Sequence, residues 1–320
     1  MNTLEANSCM AFLPDAANDV LVSVNPKAGA RSGKEVVEKT VGALRERGYR
    51  VELPTGIDQL AEMVTAKLQD GSLRAVVAAG GDGTVSLVVN RTPPGVPVIV
   101  LPLGTENLLA KHLNMTADPE RICQILERGA IVRLDAGQAN GHIFLLMLGC
   151  GFDAEVVRRL DQQRSGHIHH FSYVKPIFQS IRSYKYPELR ITADSAEDSA
   201  DAESQVEAKW AFVVNLPRYA MGLGIAPGAD GTDGKLDVCT FKQGSLWKGL
   251  MYLAGVIVGR HEKWDDCVTL RARKIRIEAD AQVPYQVDGD PGGYLPLDIE
   301  VLPQRLTLLV PEDWNGGRKR

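Results

Sequence analysis

Three glycines, an aspartate and a threonine stand together in the first half of the chain, as Gly80-Gly-Asp-Gly-Thr84. The apolar run before them, Ala75–Ala79, has the length of a strand, and helical spacing of apolar residues resumes at Val85. Glycines let a backbone lie directly against a ligand, and the free N–H groups that open a helix attract anions. The turn therefore predicts phosphate binding, with Asp82 holding a magnesium ion or a hydroxyl beside it. A purely structural turn is the plainer alternative.

Small polar residues also follow two other predicted strands. Asn25 follows the first strand, Val20–Val24, and Pro102-Leu-Gly-Thr-Glu-Asn107 follows a later one, Val98–Leu101. Strands alternate with helical patterns here, which predicts a mostly parallel sheet whose carboxyl ends gather ligands. We expect the three loops to share that edge. For Thr105, at a helix start, the alternative is an N-cap.

Two common nucleotide-binding motifs are excluded. The loop at residues 27–33 resembles a Walker A motif, but only three residues separate Gly29 from Gly33-Lys34, and Glu35 stands where the magnesium-binding Ser or Thr would be. A dinucleotide-dependent oxidoreductase is disfavoured because no GxGxxG follows a predicted strand.

The hydrophobic pattern divides the chain near Asn140. The first half predicts strands at Val20–Val24, Tyr49–Leu53, Leu73–Ala79 and Val98–Leu101. It predicts one helix that ends at about Arg47 and two more at Ile57–Leu68 and Leu108–Leu113. The second half is β-rich, with strands predicted at Ile143–Leu148, Trp210–Asn215, Leu236–Phe241, Lys274–Glu278, Tyr285–Val287 and Leu297–Val301, and helices at His167–Ser183 and Leu246–Val258. The segment Ala193–Glu207 is predicted to be a solvated excursion between two strands.

Composition restricts the partners and the compartment. The 320 residues carry a net charge of −4, which gives no support to a nucleic-acid partner. The five cysteines are widely spaced and form no CxxC pair, which favours a reducing cytoplasm. No apolar run approaches the length of a membrane span. We therefore expect a cytoplasmic protein, peripheral to a membrane at most.

The motifs together resemble those of the diacylglycerol kinase catalytic domain family, which includes bacterial lipid kinases, sphingosine kinases and ceramide kinases. The motifs that carry the resemblance are Asn25-Pro26 with its glycine loop, Gly80-Gly-Asp-Gly-Thr84, Pro102-Leu-Gly-Thr105 with Asn107, Gly149-Cys-Gly-Phe-Asp-Ala154, Ala226-Pro-Gly-Ala-Asp230-Gly-Thr-Asp233-Gly-Lys-Leu236 and Asp288-Gly-Asp290. The more distant NAD kinases share the second of these.

The resemblance implies a fold and a domain organisation. It implies a nucleotide-binding α/β domain with a mostly parallel sheet over residues 19–140, and a β-rich acceptor domain, an antiparallel sandwich, over residues 141–302. Residues 303–320 form a C-terminal segment, for which a return to the first domain is one option. The active site is expected in the cleft between the domains.

The resemblance also assigns roles to residues. ATP is the implied donor and Mg²⁺ the implied metal. The implied nucleotide contacts are Asn25, Thr55, Gly80, Gly81, Asp82, Gly83, Thr84, Val85, Ser86 and Thr105. The implied metal ligands are Asp230, Asp233 and the carbonyl of Lys235, oxygen ligands that suit magnesium. The implied catalytic residues are Asp290, Asp288 and Asp82, with Asp290 as the base for the acceptor hydroxyl.

Two departures from the family pattern bear on activity. The family has Asn-Asp-Phe-Ala where this chain has Asn107-Leu-Leu-Ala110, so a carboxylate is missing at Leu108. Asp290 stands where the family has glutamate. We expect an ATP-dependent kinase that phosphorylates a diacylglycerol-like or sphingoid-like lipid at a membrane surface. The alternatives are an NAD kinase and a nucleotide-responsive lipid-binding pseudokinase. The sequence does not decide the oligomeric state, and a homodimer is one option.

Overall fold

The computed structural model describes residues 10–14, 16–25, 31–162, 184–194, 203–217 and 223–316. The predicted helix His167–Ser183 lies outside the described residues. The chain divides into two compact units. The first comprises Met1–Leu134 and Gln304–Arg320, and the second comprises Asp135–Pro303.

The strands and helices are numbered in chain order. The strands are β1 (Met10–Phe12), β2 (Asp19–Val24), β3 (Arg50–Glu52), β4 (Leu73–Gly80), β5 (Pro97–Pro102), β6 (Ala130–Ala139), β7 (His142–Phe144), β8 (Met147–Cys150), β9 (Leu189–Asp194), β10 (Glu203–Ala208), β11 (Trp210–Val214), β12 (Leu236–Phe241), β13 (Cys267–Ala272), β14 (Lys274–Glu278), β15 (Pro284–Val287), β16 (Asp290–Tyr294) and β17 (Leu297–Leu309). The helices are α1 (Arg31–Glu46), α2 (Ile57–Gln69), α3 (Asp82–Arg91), α4 (Leu108–His112), α5 (Pro119–Arg128), α6 (Phe152–Gln162) and α7 (Leu246–Val258).

The first unit is built on a parallel sheet with the strand order β3, β2, β4, β5. The end of β17 adds a further parallel strand, in which Thr307 pairs with Pro97. All eight residues of β4 are buried, as in a central strand covered on both faces. Helices α2 and α3 pack on this strand. The predicted α/β domain with a mostly parallel sheet is confirmed.

The register of the parallel strands brings three strand ends to one edge of this sheet. Val24 at the end of β2 pairs with Ala79 of β4, and Gly80 pairs with Pro102 at the end of β5. Asn25 donates its backbone N–H to the Ala79 carbonyl at 3.4 Å. The carboxyl ends of β2, β4 and β5 therefore deliver their loops to the same edge.

The second unit is a sandwich of two antiparallel sheets. One sheet has the order β13, β12, β11, β8, β15, β16, and the other pairs β10, β9, β14 and the first half of β17. One core contains residues of both sheets, including Leu148, Val213 and Val238 from the first and Ile191, Ile277 and Ile299 from the second. Buried and exposed residues alternate along β14, as expected for a strand with one solvated face. The predicted β-rich second domain is confirmed.

The single strand predicted at Ile143–Leu148 is wrong. The structure has two strands there, β7 and β8, separated by Leu145 and Leu146. The N–H groups of both residues donate to the side chain of Asp288. Since these amides bond a carboxylate rather than a neighbouring strand, the ladder is interrupted at an apolar sequence that gives no local sign of it.

Other boundaries differ where tertiary pairing extends a strand. β17 continues eight residues beyond the predicted end at Val301, to Leu309. The segment Ala193–Glu207 contributes to a hairpin, in which Glu203 of β10 pairs with Asp194 of β9. Polar residues fill β10 because it is the edge strand of its sheet and only its last residue, Ala208, is buried.

Two further observations concern the membrane and the cysteines. Among the described residues, no helix combines the length and apolar character required to cross a membrane. The four cysteines in the described part of the chain, Cys123, Cys150, Cys239 and Cys267, are buried free thiols.

Candidate functional site

The glycine turn joins β4 directly to α3. Gly81 is the N-cap of the helix in an extended conformation, and Asp82 is its first residue. A Cβ atom added at Gly80 would lie 2.1 Å from Thr84 Oγ1. Gly80 is therefore required by the close approach of the Thr84 side chain. The first N–H groups of α3 have no helical acceptor, which makes this end a site for an anion.

The loop after β5 packs against this turn through its backbone. A Cβ atom at Gly104 would lie 2.6 Å from the Cα of Gly81, and Leu103 donates its N–H to the Gly80 carbonyl at 2.9 Å. Asn107 has a left-handed conformation, with φ of 49°. Its side chain both accepts from Gly104 N–H at 3.0 Å and donates to the Gly104 carbonyl at 2.7 Å. Two of the three predicted loops thus form one rigid structure.

Asp82 links the two loops through its carboxylate. The N–H groups of Leu108 and Leu109 donate to its two oxygens at 2.8 and 3.0 Å. Asp82 therefore satisfies two amides at the start of α4. Burial raises the pKa of the Asp82 carboxyl, and the amides of Leu109 and Leu108 oppose that shift. Each oxygen keeps a second lone pair with which it can accept another bond.

Leu108, where the family pattern has a carboxylate, is 8% exposed. Its side chain belongs to the apolar core of the first unit, and its backbone N–H contacts Asp82. The missing carboxylate is thus replaced by a core residue.

Some of the other predicted nucleotide-binding residues are buried and some are exposed. Thr84, Val85 and Ser86 are buried in the first turns of α3. The hydroxyl of Thr84 has no hydrogen-bond partner among the described residues. Thr105 is exposed in the loop after β5. Thr55 is exposed after β3, where its hydroxyl donates to Gln59 at 3.0 Å.

In the second unit, Asp288 binds a run of three backbone amides. Its carboxylate accepts from Leu145, Leu146 and Met147 at 2.7, 2.8 and 3.0 Å. Its own N–H donates to the Met147 carbonyl at 2.9 Å. Its φ of 49° lies in the left-handed region, which asparagine and aspartate tolerate better than other side chains. Asp288 thus anchors the turn between β15 and β16.

Gln286 joins this turn to the motif around Asp153. Gln286 has no exposed surface. Its amide donates to Asp153 Oδ2 at 3.0 Å and accepts from Gly289 N–H at 2.8 Å. These two residues are absent from the predicted site. The Gly149–Ala154 motif was a signal for Asp153, but Gln286 stands in an apolar strand and only the fold reveals its partners.

Asp290 is the exposed carboxylate of the turn. It is the first residue of β16, where its backbone pairs with Val287, and its side chain is exposed. Gly289, with φ of 89°, provides the bend between the two aspartates. The same turn therefore contains one carboxylate bonded to backbone amides and one presented at the surface.

The loop predicted to hold magnesium is organised by its own hydrogen bonds. Asp230 Oδ1 accepts from the hydroxyl of Thr232 at 2.6 Å. Asp233 accepts from Lys235 N–H at 3.0 Å through one oxygen and forms an ion pair with Arg271 through the other. Among the residues described, no three His, Cys, Asp or Glu side chains converge as a metal site. The guanidinium of Arg271 already pairs with one oxygen of Asp233, and a cation does not fit at that same oxygen. Magnesium binding by this loop stays a prediction.

Two family profiles match the chain. The diacylglycerol kinase catalytic domain matches residues 19–139, and the YegS C-terminal NAD kinase beta sandwich-like domain matches residues 147–310, which is more than half of the chain. A diacylglycerol kinase of Mycobacterium tuberculosis is 28% identical over 301 residues, covering 91% of this chain and 95% of that protein.

Other relatives are more distant or longer. An uncharacterized protein of Synechocystis is 26% identical over 241 residues, and the match covers 74% of this chain but only 54% of that protein. The crystal structure of a candidate diacylglycerol kinase from Bacillus anthracis shares the fold, with a TM-score of 0.70 over 93% of this chain and 97% of that one, at 21% identity. With both profiles matched in order, this chain belongs to the diacylglycerol kinase catalytic domain family of lipid kinases.

Proposed function

We propose that the protein transfers the γ-phosphoryl group of ATP to a hydroxyl of a diacylglycerol-like or sphingoid-like lipid. The observation that carries the proposal is the pair of loops at the start of α3, in which Gly80, Gly81 and Gly104 let the two loops pack closely and hold the first N–H groups of the helix in place. Backbone amides positioned in advance stabilise phosphoryl groups without reorganising during the reaction. The names of the relatives supply the class of acceptor.

The nucleotide end of the proposed site belongs to the first unit. The N–H groups that open α3 would bind phosphate oxygens, and the buried hydroxyl of Thr84, which has no partner in the described structure, supports a turn that gains bonds with its ligand. Asn25, Thr55 and Thr105 follow the carboxyl ends of β2, β3 and β5. We assign them to the remainder of the nucleotide, in line with ligand binding at this edge of parallel sheets.

The acceptor chemistry is assigned to the turn between β15 and β16. In the proposed step the lipid hydroxyl oxygen forms a bond to the γ-phosphorus while the bond from that phosphorus to the β–γ bridging oxygen breaks. ADP leaves, and the hydroxyl proton passes to the Asp290 carboxylate. Asp288 positions the turn, because its oxygens bind the amides of Leu145 and Leu146 between β7 and β8. Asp153 and Gln286 support the same turn from the side of α6.

Magnesium, when bound, would neutralise the charge of the nucleotide phosphates. We propose that it enters with ATP, and no step is assigned to the loop of Asp230 and Asp233. We further propose that the protein acts in the cytoplasm at a membrane surface, where its acceptor resides, with no nucleic-acid partner.

The test is to incubate the protein with ATP labelled at the γ-phosphate and a total lipid extract, and to identify the labelled lipid. Asp290→Asn serves as the inactive control and an exposed variant, Asp58→Asn, as the active one. Label in a lipid that depends on Asp290 supports the proposal. Label in added NAD, with none in any lipid, would assign the chain to the NAD kinase alternative. Nucleotide binding without any labelled product would identify a pseudokinase.

A further inference from the structure

Helix α7 presents an apolar face to solvent. Every side chain of the helix that is described as exposed is apolar, and these residues are Trp247, Leu250, Met251, Leu253, Ala254, Ile257 and Val258. Their exposure is substantial, at 79% for Trp247, 64% for Ile257 and 65% for Val258. Surface helices of globular proteins carry polar residues on the outward face. A contiguous apolar face of this kind marks an interaction site.

The opposite face holds the helix firmly on the second unit. Tyr252 is 2% exposed and its ring stacks on Phe241, with the centroids 4.4 Å apart. Cβ atoms added at Gly249 and Gly255 would lie 3.1 and 2.3 Å from the rings of Trp210 and Trp264, so the glycines permit close packing. Ser245 caps the helix by accepting from Lys248 N–H at 3.2 Å. The exposed face is therefore a fixed surface of the folded unit.

Basic residues flank this face. Residues 242–266 contain four lysines and arginines, one glutamate and two aspartates, in a chain whose net charge is −4. Lys248 forms an ion pair with Asp266 at 2.6 Å. The other three, Lys242 before the helix and Arg260 and Lys263 after it, have exposed side chains. Exposed basic residues thus lie at both ends of the apolar face, and after the helix they alternate with the exposed carboxylates of Glu262 and Asp265.

We propose that α7 docks the protein on an anionic lipid bilayer, with its apolar face at the boundary of the acyl chains and its flanking basic residues among the headgroups. An exposed tryptophan on an otherwise aliphatic face suits the membrane interface. Apolar burial and attraction to anionic lipids act together in such helices. The choice of a bilayer rests on the proposed function, since a lipid acceptor requires access to a membrane.

A second copy of the chain is the competing occupant of this surface. A symmetric dimer through α7 would bring the same patch of both copies together. Light scattering without vesicles separates this dimer from docking on a bilayer.

The experiment measures binding of the whole protein to vesicles by co-sedimentation, without ATP. The probes are vesicles of phosphatidylcholine alone and of phosphatidylcholine with phosphatidylglycerol. The double variant Trp247→Gln with Ile257→Gln removes two exposed apolar anchors. We expect its binding to anionic vesicles to fall by a factor on the order of 10², about tenfold for each side chain. The matched control is Leu68→Gln, an exposed leucine on α2, which should bind like the wild type.

A second variant tests the charge. Arg260→Glu with Lys263→Glu should weaken binding to anionic vesicles and leave binding to neutral vesicles unchanged, and raised salt should reproduce the effect in the wild type. Equal binding by all variants would overturn the proposal. So would a wild-type dimer, seen by light scattering without vesicles, that the Trp247 and Ile257 double variant converts to a monomer.

The docking and kinase proposals fail in different ways. With a short-chain lipid dispersed as monomers, the α7 variants should keep the wild-type kcat, whereas with the lipid in anionic vesicles their rate should fall. A protein without lipid kinase activity would show no turnover with either substrate, and its vesicle binding would still report on α7. Loss of turnover with the monomeric lipid in the α7 variants would contradict docking as the role of this face.

Discussion

The side-chain amide of Gln286 donates a 3.0 Å hydrogen bond to Asp153, which connects the turn of the late aspartates to the start of α6. The same side chain accepts from Gly289 N–H. A fully buried amide that bonds on both sides fixes the relative position of the two elements. We therefore regard Gln286 as a positioning residue for Asp290.

Two replacements of Gln286 should distinguish the effects of its two hydrogen bonds. Gln286→Leu removes both and leaves Gly289 N–H without its acceptor, so we expect the free energy of unfolding to fall by about 1–3 kcal/mol and kcat to fall as well. Gln286→Glu keeps the acceptor for Gly289 but sets a carboxylate against Asp153. Its activity should therefore depend on pH more steeply than that of the wild type.

The measurements are urea unfolding and a pH profile of kcat. Gln243→Leu is the matched control, because Gln243 makes an exposed 3.3 Å bond to Asp266 and its loss should cost about 0.5 kcal/mol or less. If Gln286→Leu lowers the stability but leaves kcat normal, Gln286 has a structural role and does not position Asp290.

Asp82→Asn should affect both stability and activity. The new amide group keeps one oxygen for an N–H of α4 but turns an NH₂ group toward the other, so we expect a loss of about 1–2 kcal/mol. Phosphoryl transfer should fall strongly, because one of the two bonds that hold the start of α4 against the glycine turn is lost, although Leu103 N–H still donates to the Gly80 carbonyl. The buried contacts make the stability effect larger than for a surface residue.

The control for Asp82 is Asp118→Ala. Asp118 is the exposed N-cap of α5 and accepts from Glu120 N–H at 3.1 Å, so its replacement by alanine removes a cap away from the proposed chemistry, at a cost of about 0.5–2 kcal/mol. We expect a comparable shift in urea midpoint and full activity. Equal activity in the two variants would argue against any part for Asp82 in the reaction.

Asp19 provides a test of pH dependence in the first unit. Its carboxylate is 4% exposed, accepts from Lys67 Nζ at 2.6 Å and forms an ion pair with Arg50. Burial raises the pKa of Asp19, but the bonds from Lys67 and Arg50 outweigh it, and the pKa in the folded protein is lowered. A lowered pKa means that this carboxylate stabilises the fold at pH values above its unfolded pKa of about 4. That stability is lost as the pH falls through the folded pKa.

Asp19→Asn should therefore destabilise the protein by about 1–3 kcal/mol at pH 7, because it weakens the bonds from Lys67 and Arg50, while Lys67 keeps its 2.9 Å ion pair with Glu52. The difference from the wild type should shrink as the pH falls below about 4. Urea unfolding at several pH values measures it. Asp58→Asn, which breaks an exposed pair with Arg91, should change the stability by about 0.5 kcal/mol or less at every pH.

Local patterns in the sequence predict much of this fold. The alternation of strands and helices predicts the parallel sheet, and the boundaries of β12, β14 and α7 agree with the apolar runs that define them. Helix α5 is absent from the predicted elements, although Asp118 and Pro119 mark its start and Gly129 its end. These features depend on residues close to one another in the chain.

What the sequence does not predict depends on distant partners. The break between β7 and β8 results from Asp288, which is more than 140 positions away. The link between Asp82 and α4 arises from the packing of two glycine loops, which only the sheet register brings together. The motif resemblance identifies these aspartates as important, whereas the structure shows which amides they bind.

Replacement of Asp288 by asparagine should lower the stability of the protein, whereas the same replacement of Asp290 should leave the stability unchanged and abolish catalysis. Asp288→Asn weakens a carboxylate that accepts three backbone N–H bonds, so we expect a loss of about 2–3 kcal/mol in the free energy of unfolding. Asp290→Asn alters an exposed side chain and should leave stability within about 0.5 kcal/mol of the wild type. Urea unfolding of the two variants measures this difference.

For catalysis, Asp290→Asn should abolish turnover because the amide cannot accept the proton of the lipid hydroxyl. Asp290→Glu should be tolerated or faster, since it restores the residue of the family pattern and a displacement of about 1 Å can change the rate on the order of 10²-fold. Turnover of labelled ATP with the identified lipid measures both. Normal kcat in Asp290→Asn, with turnover lost in a folded Asp288→Asn protein, would move the base to Asp288. Normal kcat in both variants would contradict a carboxylate base in this turn.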